Sequence, residues 1–144
     1  MWEAARTRAD LSRRLRIGYG YRVKPRVYLE TSVVSYLVGR LSRDVVVLGN
    51  QELTREWWLN QRAEYDLFIS EVVIGEAAIG DAELARQRLA ICEDLRLLAV
   101  TDEAERLAPM LLKAAAMAPN AETDALPIAV AAVHGLECSR LVEL

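Results

Sequence analysis

Three acidic residues lie where a parallel β-sheet would gather their side chains. Glu30 directly follows the run RVYL, and Glu76 lies six residues beyond Ser70, which ends a second apolar run, DLFIS. Asp124 opens the last helix that the sequence predicts. Because sites in open parallel sheets form outside the carboxyl ends of the strands, we expect the three carboxylates to meet at one edge of the sheet.

Such a cluster of carboxylates requires a counter-ion. Unpaired acids at short range repel one another and raise each other's pKa, and a divalent cation removes that cost. Carboxylate oxygens favour Mg²⁺ or Mn²⁺. A cation held there supports phosphodiester hydrolysis, because it lowers the pKa of a bound water and neutralises charge on the phosphate. Any one of these acids alone is more often a solvated helix-end residue, so the residues by themselves indicate only a candidate metal-dependent hydrolase.

The elements that must position the acids alternate along the chain. Strands are predicted at 26–29, 66–70 and 96–100. Helices are predicted at 31–38, 44–64, 71–79, 82–95, 102–117 and 124–134. Short apolar strands that alternate with helices predict an α/β fold with three α/β/α layers and a small parallel sheet.

Individual residues should begin, end or orient these helices. Ser42, Asp81, Thr101 and Thr123 are available as N-caps, and Gly80 and Gly135 as stop signals. Two apolar stripes have helical spacing: Val46, Gly49, Leu53 and Trp57 in one helix, and Ala85, Leu89 and Cys92 in another. Pro109 should kink or split its helix.

The charge of the chain is unevenly distributed. Its 144 residues are 53% apolar and 27% charged, which suits one globular domain. The net charge is −3, yet residues 1–26 carry eight Lys/Arg against two Asp/Glu. We expect a flexible basic extension at 1–25, which is either an arm that contacts RNA or a dispensable leader.

Neither cysteines nor apolar runs indicate export or a membrane span. Cys92 and Cys138 have no CxxC spacing and are interpreted as reduced thiols. No apolar run approaches the roughly 20 residues that a membrane span needs, and no secretory signal is present. We therefore expect a cytoplasmic protein.

Four segments together resemble the PIN-domain family. They are RVYLETSVVSYL at 26–37, LTREWW at 53–58, ISEVVIGEAAIGD at 69–81 and TDALPIAVAAVHG at 123–135. The resemblance covers roughly residues 26–136 and is closest to VapC-like ribonuclease toxins of type II toxin–antitoxin pairs. It implies a PIN-like domain at 26–144 that cuts RNA with Mg²⁺ or Mn²⁺, is bound by a cognate antitoxin and forms a homodimer.

The resemblance also assigns roles to individual residues. Glu30, Glu76 and Asp124 correspond to the catalytic acids that bind the metal. Thr31 or Ser32 would support the first acid and a metal-bound water. Independently of the resemblance, Trp57 and Trp58 could stack on bases, although their helical spacing favours a core or dimer role for at least one of them. His134, near the end of an Ala/Val-rich helix, is expected to cap or pack.

The chain departs from the family pattern in three places. The first acid is Glu30 where Asp is usual, and the usual DALHIA-like run reads DALPIA, which places Pro127 near the start of its helix. After residue 136 the tail LECSRLVEL replaces the family's apolar strand and its closing site residues, so we expect incomplete C-terminal strands. One hypothesis is that this tail is truncated or read out of frame.

The altered tail keeps a second function open. A degraded PIN domain would no longer cut but would still bind antitoxin or RNA. A metal-dependent phosphatase on a similar sheet is a third alternative, which the absence of a DxD motif at the first strand disfavours.

Overall fold

The computed structural model describes residues 23–114 and 121–139, with the backbone alone at 121–124 and 137–139. Nearly all of the predicted basic extension (1–25) therefore lies outside the described residues. No helix in the described part of the chain is long and apolar enough to cross a membrane.

The described elements follow the predicted order. The strands are β1 (Arg26–Leu29), β2 (Asp66–Ser70), β3 (Arg96–Leu98) and β4 (Glu137–Ser139). The α-helices are α1 (Thr31–Leu37), α2 (Val45–Asn60), α3 (Glu71–Ala77), α4 (Ala82–Glu93), α5 (Asp102–Ala114) and α6 (Ala121–Val133), and a 3-10 turn spans Arg62–Glu64.

The four strands form one parallel sheet in the order β3-β2-β1-β4. The chain moves outward from β1 to β3 and then returns across the sheet to β4. Because parallel crossovers are right-handed, this reversal puts α5 and α6 on the face opposite α1 to α4. The contacts agree, since α5 packs on α6 while α1 packs on α2, α3 and α4. The fold is thus the expected α/β fold, with the direction of winding reversing between β1 and β4.

The buried strands form the centre of the core. Tyr28, Leu29 and Ile69 are essentially inaccessible to solvent, and Val130 of α6 covers the sheet in the same cluster. The Tyr28 hydroxyl and the Ser70 hydroxyl are 2.8 Å apart and form a hydrogen bond between β1 and β2. Burial on both faces explains why these strands are continuous apolar runs.

The apolar stripe of α2 lies mostly outside the core. Val46 and Leu53 of that stripe are 73% and 59% exposed, and only Trp57 of that stripe reaches the core. The inward side carries Gln51 and Thr54 instead. Gln51 is buried because its amide donates to the carbonyl of Arg40 and accepts from the N–H of Ser42, which satisfies the backbone of the preceding loop.

Two helix starts were also misplaced. Asp44, not Ser42, caps α2 by accepting from the N–H groups of Val46 and Val47. Helix α6 starts at Ala121, so Thr123 lies within it and Pro127 is past its first turn. In contrast, Asp81 and Thr101 cap α4 and α5 as predicted, and Ala85 and Cys92 face the core.

Two further differences concern how elements end. Strand β3 stops at Leu98, two residues early, because its partner β2 ends at Ser70 in the same register. Helix α5 runs through Pro109 without splitting. The C-terminal strands were expected to be incomplete, and the structure describes one strand there, Glu137–Ser139, which pairs in parallel with Val27–Leu29. Backbone hydrogen bonds form this short ladder irrespective of the polar side chains.

Candidate functional site

Glu30 lies at the point where the winding direction of the sheet reverses. It directly follows β1, whose neighbours β2 and β4 connect in opposite directions. Ligands of open α/β sheets bind in the crevice at such a point. The Glu30 side chain is 9% exposed, and its carboxylate accepts a weak hydrogen bond from the Ser32 hydroxyl at 3.4 Å. Glu30 precedes α1 without capping it through its side chain.

Glu76 is connected to this region by a hydrogen bond from a threonine hydroxyl. It lies in the last turn of α3, which follows the neighbouring strand β2, and its side chain is partly buried. The Thr31 hydroxyl of α1 donates a short hydrogen bond to the Glu76 carboxylate. The two hydroxyls predicted to support the first acid are therefore divided: Ser32 contacts Glu30, and Thr31 contacts Glu76.

Asp124 is the fourth residue of α6, the helix that leads towards β4. Its side chain lies outside the described residues, so its predicted place beside Glu30 and Glu76 stays a prediction. Among the side chains that the structure does describe, no group of three His, Cys, Asp or Glu residues is placed to hold a metal.

The donor set nevertheless fits a hard cation. Glu30 and Glu76 offer carboxylate oxygens, and Thr31 and Ser32 add hydroxyl oxygens beside them. These are the oxygen ligands that Mg²⁺ and Mn²⁺ prefer, and Mg²⁺ commonly uses only one or two carboxylates with water and phosphate oxygens. These residues could thus hold a cation for phosphate chemistry.

Two arginines that the sequence did not single out hold the ends of the short helices beside this site. Arg55 of α2 donates to the carbonyls of Tyr36, Val38 and Gly39 at the end of α1. Arg88 of α4 donates to the carbonyls of Ala77 and Ile79 at the end of α3. No residue in the sequence indicates these arginine contacts; Gly39 and Gly80 indicate only where the two segments end, with φ of 74° and 96°.

Solved structures with similar folds are known. VapC20 of Mycobacterium tuberculosis, described as a sarcin-ricin loop cleaving toxin, is 20% identical with a TM-score of 0.56, over 76% of this chain and 84% of that chain. FitAcB of Neisseria gonorrhoeae is 17% identical with a TM-score of 0.53, over 78% and 84%. VapBC2 of Rickettsia felis, bound to a DNA fragment from its promoter, is 16% identical with a TM-score of 0.50, over the same shares.

The chain has a VapC-like PIN-domain fold. No protein-family model matches it, and no curated protein is similar to it in sequence. The likeness is therefore one of structure, and it confirms the fold expected from the four motif segments.

The histidine and the two tryptophans considered in the sequence analysis make packing contacts in this fold. A ring nitrogen of His134 is 3.0 Å from the carbonyl oxygen of Ala99, which ties the end of α6 to the end of β3. Trp57 is buried in the core beside Trp58 and Tyr65. Trp58 is partly buried, with the Arg62 guanidinium 4.4 Å from its ring centroid. These contacts agree with packing roles for His134 and Trp57.

Proposed function

We propose that the chain is a metal-dependent endoribonuclease of the VapC toxin type, which hydrolyses RNA phosphodiester bonds. The observation that carries this proposal is the hydrogen bond from Thr31, the residue after Glu30, to the carboxylate of Glu76 at the carboxyl edge of the sheet. Glu30 and Glu76 follow neighbouring parallel strands, and Thr31 connects the two helices that begin there. The VapC-like fold supports the same conclusion.

In this proposal the acids bind the cation and the hydroxyls orient the acids. Glu30, Glu76 and Asp124 are the proposed ligands, and Mg²⁺ or Mn²⁺, when bound, supplies an activated water and offsets the charge of the phosphate. Ser32 restricts the Glu30 carboxylate and Thr31 restricts the Glu76 carboxylate. Hydrogen-bonded partners of this kind fix the direction in which a ligand points.

RNA is the proposed substrate class. Residues 27–144 carry ten Lys/Arg against nineteen Asp/Glu, so the domain as a whole repels a polyanion. A bound cation and basic residues near the site must overcome that repulsion locally. The sarcin-ricin loop activity named for VapC20 makes RNA the substrate favoured over other phosphodiesters, and we place this activity in the cytoplasm, where RNA is available.

A cognate antitoxin and a second copy of the chain are the proposed protein partners. VapBC2, one of the similar structures, is described as bound to promoter DNA, which supports a role within a toxin–antitoxin pair. Helix α2 exposes Val45, Val46 and Leu53, at 80%, 73% and 59%. Exposed apolar residues on one helix are suited to a helix-in-groove contact.

A binding protein without nuclease activity is the second candidate. The observation that favours it is the departure of the sequence from the family pattern at β4, whose described residues, Glu137–Ser139, form three pairs with β1. If the position of Asp124, the third proposed ligand, depends on a stable C-terminal strand, the site would bind metal weakly although the domain still folds.

One cleavage experiment separates the two candidates. Purified full-length protein is incubated with structured and single-stranded RNA in Mg²⁺ or Mn²⁺, in EDTA, and as the Asp124→Asn variant. The nuclease proposal predicts cleavage that EDTA and Asp124→Asn both abolish. A folded protein that cuts no RNA in either metal would instead support the binding protein.

A further inference from the structure

Arg88 holds the chain on both sides of the turn that follows Glu76. Its Nε donates to the carbonyl of Ala77 at 2.9 Å, and its Nη2 donates to the carbonyl of Ile79 at 2.5 Å. Ala77 is the residue directly after Glu76, and the N–H of Ile79 donates to the carbonyl of Glu76 itself. The guanidinium of α4 is therefore attached to the backbone turn from which Glu76 projects.

Helix α3 needs such an external partner. The last carbonyls of a helix have no partner within the helix and carry partial negative charge, which a cation stabilises. Helix α3 has seven residues and no basic residue in its own last turn. A helix this short is not stable alone, so the position of its end depends on contacts from other elements. The planar guanidinium fork suits two carbonyls at once, which a lysine cannot reproduce.

Glu76 is thus restrained at two levels. Thr31 fixes the direction of its carboxylate, and Arg88 fixes the backbone immediately beyond its Cα. If the turn loosened, the Glu76 carboxylate would no longer be held within hydrogen-bonding distance of the Thr31 hydroxyl. We propose that Arg88 is a positioning residue for Glu76 that keeps the metal site assembled, an inference that rests on the proposed metal-dependent function.

Arg55 offers a control with the same chemistry but a different location. It donates to the carbonyls of Tyr36, Val38 and Gly39 at the end of α1. The candidate site residues of that helix, Thr31 and Ser32, lie at its opposite end. Loss of Arg55 should therefore weaken the fold without moving a metal ligand directly.

Arg86 offers a second control for the loss of positive charge from α4. It is exposed and pairs with Glu83 at 2.6 Å on the same helix. Hydrogen bonds from Arg86 and Gln87 lower the pKa of Glu83 to about 2, so the Glu83 carboxylate is charged at neutral pH. Arg86 lies two residues before Arg88 but contacts no carbonyl of α3 in the described hydrogen bonds.

The test is Mn²⁺ binding to full-length, metal-free protein, measured by calorimetry. We expect Arg88→Ala to raise the Kd for Mn²⁺ about 10- to 100-fold, the range typical of lost support for a ligand. Arg55→Ala and Arg86→Ala should stay within about threefold of the parent protein, and Arg88→Lys should recover part of the loss. Hydrogen exchange without metal provides a second readout, because the amides of Ala78 and Ile79 should exchange faster in Arg88→Ala than in Arg86→Ala.

The outcomes separate the inference from the proposed function. Equal Mn²⁺ affinity in Arg88→Ala and Arg55→Ala, with the parent protein binding normally, would overturn the positioning role alone. A folded parent protein that binds no Mn²⁺ would overturn the proposed function and this inference with it. Should Arg88→Ala fail to fold, Arg88→Lys decides: a Kd raised at least about threefold supports the role, and an unchanged Kd contradicts it.

Discussion

The hydroxyl of Thr31 donates a hydrogen bond to the carboxylate of Glu76, a residue 45 positions later in the chain. Thr31 begins α1 directly after Glu30, and Glu76 lies near the end of α3. This single contact therefore joins the segment that carries the first candidate acid to the helix that carries the second. This junction restrains the Glu76 carboxylate beside the carboxyl edge of the sheet.

Replacing Thr31 by Val tests the junction. Valine has nearly the same shape but no hydroxyl, so the Glu76 carboxylate loses its donor while the packing of α1 is kept. We expect the apparent affinity for Mn²⁺, read from the metal dependence of RNA cleavage, to fall about 10- to 100-fold. Thr31→Ser is the matched control, since it retains the hydroxyl and should stay near the parent value. Equal loss in both variants would show that the methyl group, and not the hydrogen bond, matters.

The buried pair Tyr28 and Ser70 should stabilise the sheet. Both side chains are fully buried, and their hydroxyl oxygens are 2.8 Å apart. Tyr28→Phe or Ser70→Ala removes this contact between two buried hydroxyls, which should cost about 1–3 kcal/mol of unfolding free energy in urea titrations. Ser70 precedes α3 without capping it through its side chain, so Ser70→Ala loses no cap.

The double variant isolates the interaction between these two residues. Tyr28→Phe combined with Ser70→Ala should destabilise by less than the sum of the single changes, with a coupling of about 0.5–3 kcal/mol. Strict additivity of the two single effects would mean that the two hydroxyls do not interact.

The thiol of Cys92 should be unreactive in the folded protein. It is buried in the core, and this burial raises the pKa of the thiol, so less thiolate is present at neutral pH. In a Cys138→Ser variant that leaves Cys92 as the single thiol, labelling by a disulfide reagent should be at least about tenfold slower in buffer than in denaturing urea. Equal rates in the two conditions would contradict the placement of Cys92 in the core.

Much of the fold was predictable because strands buried on both faces are apolar throughout. The runs at 26–29 and 66–70 coincide with β1 and β2, and the reversal point then places Glu30 at the crevice by topology alone. Asp81 was also predictable as a cap, since an acid one residue before an apolar pattern has a local role.

The remaining features depend on partners distant in sequence. The inward side of α2 was not predictable, because Gln51 is buried only to satisfy the backbone of the loop at Arg40 and Ser42. Thr31 or Ser32 was expected to support Glu30, and the sequence did not indicate that Ser32 contacts Glu30 while Thr31 contacts Glu76 across the fold. The backbone contacts of Arg88 have no sequence signature, since any exposed arginine on an amphipathic helix resembles it.

The most direct test of the central claim compares two glutamates of the same helix. Glu71 begins α3 and is exposed, whereas Glu76 is partly buried and bonded to Thr31. RNA cleavage in Mg²⁺ or Mn²⁺ is measured for Glu76→Gln, Glu71→Gln and the parent protein, each shown to be folded. Glu76→Gln should abolish cleavage, whereas Glu71→Gln should retain it. Full metal-dependent cleavage by Glu76→Gln would contradict the proposed function, because the Glu76 carboxylate would then play no part in the reaction.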